Sequence, residues 1–411
     1  MKVFATLVFA SCVAVAGCSN SPRQATVIHV PADVPTIQRA VDTARRGDLV
    51  LIAPGTYHES VVVAQPGIVI RGVDRSTTIL DGQDKLPDGF AVTSDQVVIE
   101  NLTVHSYTNN GVLISGGYAA AQKGLDQPKI VEGYRISYVT AYNNGLYGLY
   151  GFMARYGVMD HDYVSGHPDS GIYIGQCSPC DAVVTDSIGE FNSVGYEGTN
   201  AGGNLFVVNS VFRHNRVGIT PNSQRYERLA PQRDTVIAGN AVIDNAEAGA
   251  PEQGKGAFGI GIAIGGGGKD LITHNLVAGH VAYGIGITDL DSFSPENNRI
   301  EANTLDGNSV DLAYFLTDPA VVPAGNCFVG NVFTSSVPKA IEQVFGCKGS
   351  PTGSPSSQPR FPVAPKGPDY RTVSAPGVQP NMPDVNSPAV AAAKVAPVVD
   401  VTKISTPKRP S

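Results

Sequence analysis

The chain has 411 residues, including 46 glycines and 29 prolines, and it contains no tryptophan. Charged residues make up only 16% of it and the net charge is −7. This composition lacks the basic patches interleaved with aromatic residues that nucleic-acid binding needs, so no nucleic acid is predicted as a partner.

The first 18 residues have the composition of an export signal. One charged residue, Lys2, precedes the apolar stretch Val3–Ala16, which is too short to span a bilayer comfortably. The stretch ends in the letters VAGC, which resemble a bacterial lipobox, and the resemblance implies that residues 1–17 are removed and that Cys18 carries a lipid. The alternative is an ordinary secretory signal. With either signal the protein is expected to leave the cytoplasm, and with a lipobox residues 18–26 form a polar tether to the membrane.

The next segment, PTIQRAVDTARRGD, predicts one short helix. Thr36 can cap its N-terminus and Gly47 can end it. Its apolar residues share one helical face, so the helix can cover the open end of a following sheet. The residues on that face are Ile37, Ala40, Val41 and Ala44.

The body of the chain, residues 27–348, is predicted to be a repeat. Glycines that open apolar runs recur every 23 or 24 residues, at Gly148, Gly171, Gly195 and Gly218. Such a period, with short β-branched runs and without helical periodicity, indicates an all-β solenoid. Its coils would stack at about the 4.8 Å strand spacing, so that equivalent positions form rows along a column.

Aligning the coils on an Asp or Asn nine residues before each glycine predicts the rows. The aligned position is a turn row with a scaffold role: Asp162, Asp186, Asn209 and Asn275. Three residues before it an inward row is expected: Met159, Val183, Phe206 and Ile272. Two residues after it a second is expected: Val164, Ile188, Val211 and Val277. A third follows the glycine: Ile172, Tyr196, Ile219, Ile260 and Ile285.

Two stretches carry a family resemblance. VPTIQRAVDTARRGDLVLIAPGTYHESVVV (Val34–Val63) resembles the opening of pectin-lyase-like right-handed parallel β-helix proteins. Asp169–Asn222 is similar to bacterial exported β-helix proteins and lipoproteins whose function is not established. The resemblance covers about Val27–Cys347 and implies a single-stranded right-handed parallel β-helix with an N-terminal capping helix. It does not imply one activity, because this fold carries lyases, hydrolases, esterases, epimerases and non-enzymes.

Four residues break their rows and are predicted to share one exposed strip across neighbouring coils: Asp169, Tyr173, Glu197 and Arg216. A site for a sugar polymer needs such groups, because a carboxylate can take a proton, an arginine can neutralise a uronate, and a tyrosine can donate or stack. Paired carboxylates can instead hydrolyse a glycosidic bond. The alternative is a solvated face with charge pairs.

A second set of candidates comes from the letters YGVMDHD, residues 156–162. They are similar to the tyrosine–glycine–aromatic–Asp–Pro–His–Asp motif of β-helix alginate epimerases. Met159 stands where that motif has its first Asp, so the resemblance implies only Tyr156 and His161 as acid/base residues.

The cysteines other than Cys12 and Cys18 are even in number, as a disulfide framework requires. Their separations favour Cys177–Cys180 and Cys327–Cys347. A redox or zinc role for Cys177 and Cys180 is the alternative, but the pair lies between strands and lacks two further ligands nearby.

Two other segments stand apart in composition. Residues 349–411 are rich in proline, serine and alanine, which predicts an extended or disordered tail without a core of its own; its apolar Ala389–Val401 could lie along the body. Thr288–Asn298 is acidic enough to hold Ca²⁺, although it lacks a dedicated ligand spacing. No other cofactor is predicted.

Two functional hypotheses follow. In the first, the protein is a lipid-anchored, extracytoplasmic β-helix that acts on an acidic or cell-envelope polysaccharide as a lyase, hydrolase or epimerase. Insertions at residues 116–133 and 222–257 would wall its groove. In the second, it is a non-catalytic surface module that binds glycan or another envelope component.

Overall fold

The computed structural model describes residues 24–117, 129–252 and 256–410. Residues 1–17, Cys18 and most of the predicted tether lie outside the described residues. The described body is a column of coils whose strands form parallel ladders. The predicted all-β parallel β-helix is therefore confirmed.

Each coil passes through three ladders in turn. The first ladder contains β1 (Val27–Val30), β2 (Leu49–Ile52), β5 (Val69–Gly72), β8 (Val97–His105), β10 (Val131–Tyr142), β12 (Ala154–Asp160), β15 (Ala182–Thr185), β18 (Gly202–Val208), β21 (Arg233–Ala238), β24 (Leu271–Thr273), β27 (Arg299–Glu301) and β30 (Cys327–Val329). The second ladder contains β3 (Gly55–Tyr57), β6 (Thr78–Asp81), β13 (Tyr163–Ser165), β16 (Ile188–Glu190), β19 (Val211–Arg213), β22 (Ala241–Ile243), β25 (Leu276–Ala278) and β28 (Thr304–Asp306). The long strands β8 and β10 take part in both, which joins these two ladders into one sheet.

The third ladder is a separate sheet. It contains β4 (Val61–Val63), β7 (Asp88–Val92), β9 (Asn110–Ser115), β11 (Leu149–Phe152), β14 (Ser170–Gly175), β17 (Val194–Thr199), β20 (Val217–Asn222), β23 (Ile260–Gly265), β26 (Tyr283–Thr288), β29 (Leu312–Leu316) and β31 (Ser336–Val337), with β32 (Ser356–Ser357) paired to β29. The helices are α1 (Ile37–Thr43) and α2 (Ile341–Val344), and two 3₁₀ turns cover Tyr370–Thr372 and Val401–Lys403. None of the helices in the described part of the chain has the length and apolar character that a membrane-spanning helix needs.

The core fills the inside of the column. The third ladder stacks Ile172, Tyr196, Ile219, Ile262 and Ile285 in register, all of them buried. The predicted row is confirmed except that Ile262, rather than Ile260, occupies it, because Gly261 and not Gly259 continues the glycine row.

The rows predicted for the first and second ladders are wrong by one residue in two coils. Met159 is in register with Val184 and Val207, and Val164 with Gly189 and Phe212. Val183 and Phe206 therefore belong to the outer side of the first ladder.

The turn between these ladders explains the error. The backbone N–H of Asp162 donates to the Ser187 hydroxyl at 3.1 Å, and the N–H of Ser187 donates to the Ser210 hydroxyl at 3.2 Å. Asp186 and Asn209 come one residue earlier and adopt positive φ angles of 52° and 50°. Aspartate and asparagine tolerate this left-handed conformation, so they resemble the turn row in sequence without belonging to it.

Both ends of the column are closed. At the N-terminal end the Thr36 hydroxyl accepts from the Arg39 N–H at 3.2 Å, and α1 ends at Thr43, earlier than Gly47. At the other end α2 covers the last coil, where Glu342 accepts from the Asn331 side chain. The predicted disulfides are both present, as Cys177–Cys180 and Cys327–Cys347.

Residues 349–410, which we call the C-terminal strap, lie along the outside of the coils. Ala392 is buried against the first ladder, and Phe361 packs on Tyr283 with ring centroids 5.1 Å apart. Val401 and Ile404 cover the outward-facing side chains of the first ladder. The strap therefore has no core of its own, but its apolar residues share the surface of the body.

Buried arginines of the body hold the strap through its backbone. Their guanidinium groups donate to strap carbonyl oxygens at 2.5–3.0 Å. The donors and acceptors are Arg71 to Val385 and Ser387, Arg75 to Pro380, and Arg216 to Pro365.

Candidate functional site

Three of the four residues predicted to form a strip meet on the outer side of the third ladder. Ile172 and Ile174 point into the core, so strand alternation turns Tyr173 outward between them. Tyr173 is in register with Glu197 on the next coil. Asp169 directly precedes β14 and approaches Glu197 from the same side.

Asp169 and Glu197 form a carboxyl pair. The Ser170 hydroxyl lies 2.7 Å from Glu197 Oε2 and 3.2 Å from Asp169 Oδ1. Burial, together with the neighbouring Glu197 charge, raises the pKa of Asp169 to about 7. Near neutral pH the pair therefore holds a proton, which makes an acid and a base available side by side.

Residues from three successive coils orient Glu197. Besides Ser170 on β14, the Asn222 side-chain amide donates to Glu197 Oε1 at 2.9 Å, and the Thr199 hydroxyl lies 3.3 Å from the same oxygen. Asn222 ends β20 and Thr199 ends β17. These three donors to the Glu197 carboxylate are all uncharged groups.

Tyrosines form a wall beside the pair. The rings of Tyr147 and Tyr150 stack with centroids 4.3 Å apart, and Tyr150 meets the edge of Tyr173 at 4.9 Å. The Tyr147 hydroxyl also hydrogen-bonds to Asp169. Neither tyrosine was predicted from the sequence, although Tyr150 is in register with Tyr173 and extending that row by one coil would have found it.

A third carboxyl group comes from the segment that follows β20. Glu227 accepts from the Gln176 amide at 2.6 Å and hydrogen-bonds to the Tyr173 hydroxyl, and its partial burial raises its pKa. The insertion predicted at residues 222–257 therefore does contribute to one side of the site. Of the insertion predicted at residues 116–133, residues 118–128 lie outside the described residues.

The structure places Arg216 elsewhere. Its guanidinium is fully buried and donates to Glu252 at 3.1 Å and to the Pro365 carbonyl of the C-terminal strap at 2.5 Å. It also lies over the Phe258 ring at 5.0 Å. Because these contacts occupy the group, the expectation that it neutralises a uronate has no support in the geometry.

Tyr156 and His161 belong to the first ladder rather than to this site. His161 follows β12, contacts Asp160 Oδ2 at 2.9 Å and stacks on Tyr138 at 4.5 Å. Tyr156 packs under the Arg155 guanidinium at 4.2 Å. Four residues separate the two along β12, on the order of 15 Å in an extended strand, so the structure does not bring them together.

The segment considered for calcium has other partners. The Asp289 carboxylate accepts from the Thr317 N–H and hydroxyl, each at 2.6 Å, and Asp291 accepts from Arg225. Within the described ranges, no three His, Cys, Asp or Glu side chains are grouped to hold a metal ion.

Comparison with known proteins identifies the fold. A family model described as a right handed beta helix region matches residues 67–305. The A-module of a mannuronan C-5 epimerase from Azotobacter vinelandii superposes with a TM-score of 0.51 at 15% identity, over 73% of this chain and 92% of that one. An alginate lyase from a Paenibacillus species gives a TM-score of 0.42 at 17% identity, over 75% of this chain and 99% of that one. The catalytic domain of a GH87 α-1,3-glucanase gives a TM-score of 0.47 at 14% identity, over 80% of this chain and 68% of that one.

None of the curated proteins matches the chain. At such low identities the superpositions show a shared fold and carry no information about activity. The family match, by contrast, spans more than half of the chain. The chain therefore belongs to the family of right-handed β-helix proteins.

Proposed function

We propose that the protein is an extracytoplasmic, lipid-anchored enzyme that cleaves glycosidic bonds in a cell-envelope polysaccharide. The observation that carries the proposal is the Asp169–Glu197 carboxyl pair, which holds a proton near neutral pH beside a wall of tyrosine rings. Glycosidic cleavage needs one carboxylic acid and one carboxylate.

Each residue has a distinct role in this reaction. Asp169 donates its proton to the glycosidic oxygen as the bond breaks, and the Glu197 carboxylate faces the positive charge that develops on the sugar. Both carboxyls contact one Ser170 hydroxyl and hydrogen-bond to each other, which leaves no room between them for the water that inverting enzymes hold across roughly 6.5–9.5 Å. This spacing favours Glu197 as the nucleophile and retention of configuration, which NMR of the first-formed anomer would test.

Lyase and epimerase chemistry are less well supported. Both act on uronates and depend on neutralising the uronate carboxylate, the role expected of Arg216. In the part of the chain that the structure describes, no arginine or lysine is ion-paired with Asp169 or Glu197. Hydrolysis needs no such cation.

The test is cleavage of a polysaccharide panel by the full chain, read as release of reducing ends. Asp169→Asn and Glu197→Gln should each lower the rate by about 10²–10⁴-fold. Asp186→Asn and Glu296→Gln, the same changes at exposed positions, should leave it unchanged. Full activity in Asp169→Asn would contradict the proposal.

Export and lipidation need their own measurement. Incorporation of a labelled fatty acid should depend on Cys18, and Cys18→Ser should release the protein from the membrane fraction. Incorporation of the labelled fatty acid into Cys18→Ser would contradict lipidation at Cys18 and would leave the proposed enzymatic activity unaffected.

The second candidate function is a non-catalytic glycan-binding module. It is supported by the difference in exposure between the residues of the site. Asp169 and Tyr173 are only 7% and 2% exposed, whereas the Tyr147 and Tyr150 rings are half-buried and can stack on a sugar. Saturable oligosaccharide binding that depends on Tyr150, without any turnover, would favour this function.

A further inference from the structure

We infer that the polysaccharide cleaved at this site is non-acidic, built from neutral or amino sugars rather than uronates around the cleaved bond. The inference rests on the proposed function and concerns its substrate. It reverses the expectation of an acidic polymer, which depended on Arg216.

The site concentrates negative charge without a counter-charge. Glu197 and Glu227 lie beside the Tyr173 side chain, and Asp169 pairs with Glu197. Their hydrogen-bond donors are hydroxyls and amides, from Ser170 and Gln176 among others. No cation of the described ranges forms an ion pair with any of the three carboxyls.

Four arginines of the neighbouring coils are already engaged. Three are each held at 2.6–3.1 Å by a carboxylate: Arg155 by Asp181, Arg213 by Glu190, and Arg216 by Glu252. The Arg225 guanidinium donates to the Asp291 backbone carbonyl at 2.8 Å and to the Ser292 hydroxyl at 3.3 Å.

A uronate would therefore meet repulsion. At a separation of about 5 Å and a dielectric constant of about 20, one like charge weakens binding on the order of 100-fold. A neutral hexose meets no such cost. Its hydroxyls can donate to the carboxylates, and its apolar face can pack against the stacked rings of Tyr147 and Tyr150.

The sharpest test compares polymers that differ only in charge. Polygalacturonate and alginate would be assayed beside their carboxyl-reduced forms, in which each uronate has become the neutral hexose, together with neutral glucans and chitosan. Full-length protein should release reducing ends from one or more of the non-acidic polymers, and at least 100-fold more slowly from any uronate counterpart.

The outcomes separate the two proposals. Faster cleavage of a uronate polymer, abolished by Asp169→Asn, would overturn this inference and leave the enzymatic function standing. No cleavage of any polymer would overturn both.

A variant provides the internal control. Glu227→Gln removes one negative charge outside the catalytic pair and should raise the ratio of uronate to neutral cleavage by about tenfold. Glu296→Gln, an exposed glutamate distant in the chain, should not change that ratio. An unchanged ratio in Glu227→Gln would count against the electrostatic exclusion.

Discussion

Two groups of charged residues lie on the outer sides of the ladders, and they are built in opposite ways. In the first, which we call the first-ladder patch (Arg71, Glu100, Arg135, Asp160 and His161), each carboxylate meets an arginine. Arg71 contacts Glu100 at 2.6 Å and Arg135 contacts Asp160 at 2.9 Å. At the third ladder the carboxylates meet one another.

The difference separates a structural role from a chemical one. Opposite charges offset the cost of burial locally, and the spare donors of Arg71 hold the C-terminal strap. Like charges cannot both stay ionised, so the pair at the third ladder keeps a proton at the expense of stability. Groups perturbed in this way are typical of active sites.

Removing the strap should give the largest effect on stability. A chain that ends at Gly377 loses three charged hydrogen bonds from Arg71 and Arg75 and uncovers apolar side chains such as Phe206. We expect the free energy of unfolding to fall on the order of 5 kcal/mol in urea titrations. Polysaccharide cleavage should persist under native conditions, because residues 378–410 contact the other ladders.

A shorter truncation serves as the control. Ending the chain at Ser405 removes the exposed Arg409–Asp244 pair, which should cost less than about 1 kcal/mol. Equal stability of the full chain and the Gly377 truncation would show that the strap is only loosely associated.

The next effect comes from breaking a pair within the first-ladder patch. Arg71→Ala leaves Glu100, which is only 6% exposed, without its cation. We expect a loss of about 3–5 kcal/mol by denaturant unfolding. Arg135→Ala is the matched control; its side chain is 44% exposed and Asp160 keeps the His161 contact, so its loss should be smaller. Similar losses in the two variants would contradict the distinction.

The same contrast explains what sequence could and could not predict. The third ladder was predictable because Gly171, Gly195 and Gly218 mark its register directly, and strand alternation then placed Tyr173 and Glu197 on the outer side. The role of Glu227 was not predictable, since this residue comes from an insertion outside the repeat. Tyr150 was predictable, because it occupies the position of Tyr173 on the preceding coil.

The first ladder was harder for a physical reason. Asparagine and aspartate occur both at turn positions with positive φ, such as Asn209, and in the hydrogen-bonded turn row. The residue type therefore cannot distinguish the two positions. The prediction that Arg216 faces the site failed for a related reason. The repeat gives the position of Arg216 on its coil, but it does not reveal the contact with Pro365, almost 150 residues later in the chain.

The pH dependence of stability tests the third-ladder pair. Asp169 binds its proton more tightly in the folded state, because its pKa is about 7 there and near 4 when unfolded. The contribution of Asp169 to stability is therefore complete below about pH 4 and is lost as pH rises from about 4 to 7, by roughly 3 kcal/mol. Asp169→Asn should remove that part of the slope.

Asp270 gives the matched control. Burial also raises its pKa to about 7, but it accepts from Gln232 and Thr235 rather than facing the carboxyl pair. Asp270→Asn should flatten the stability curve in the same way and leave cleavage unchanged. A slope in Asp169→Asn as steep as in the unaltered chain would mean that Asp169 is ionised throughout this range.

The smallest effect should come from the residues that resemble the epimerase motif. His161 is exposed and bonded to Asp160, and Tyr156 packs on Arg155, so neither contacts the tyrosine wall or the carboxyl pair. His161→Ala and Tyr156→Phe should each leave the rate of cleavage within about twofold, well below the 10²-fold effect of losing an acid or base. A tenfold loss in His161→Ala at unchanged stability would move the active site to the first-ladder patch. The assignment of hydrolysis to the third ladder would then fail, together with the exclusion of uronates.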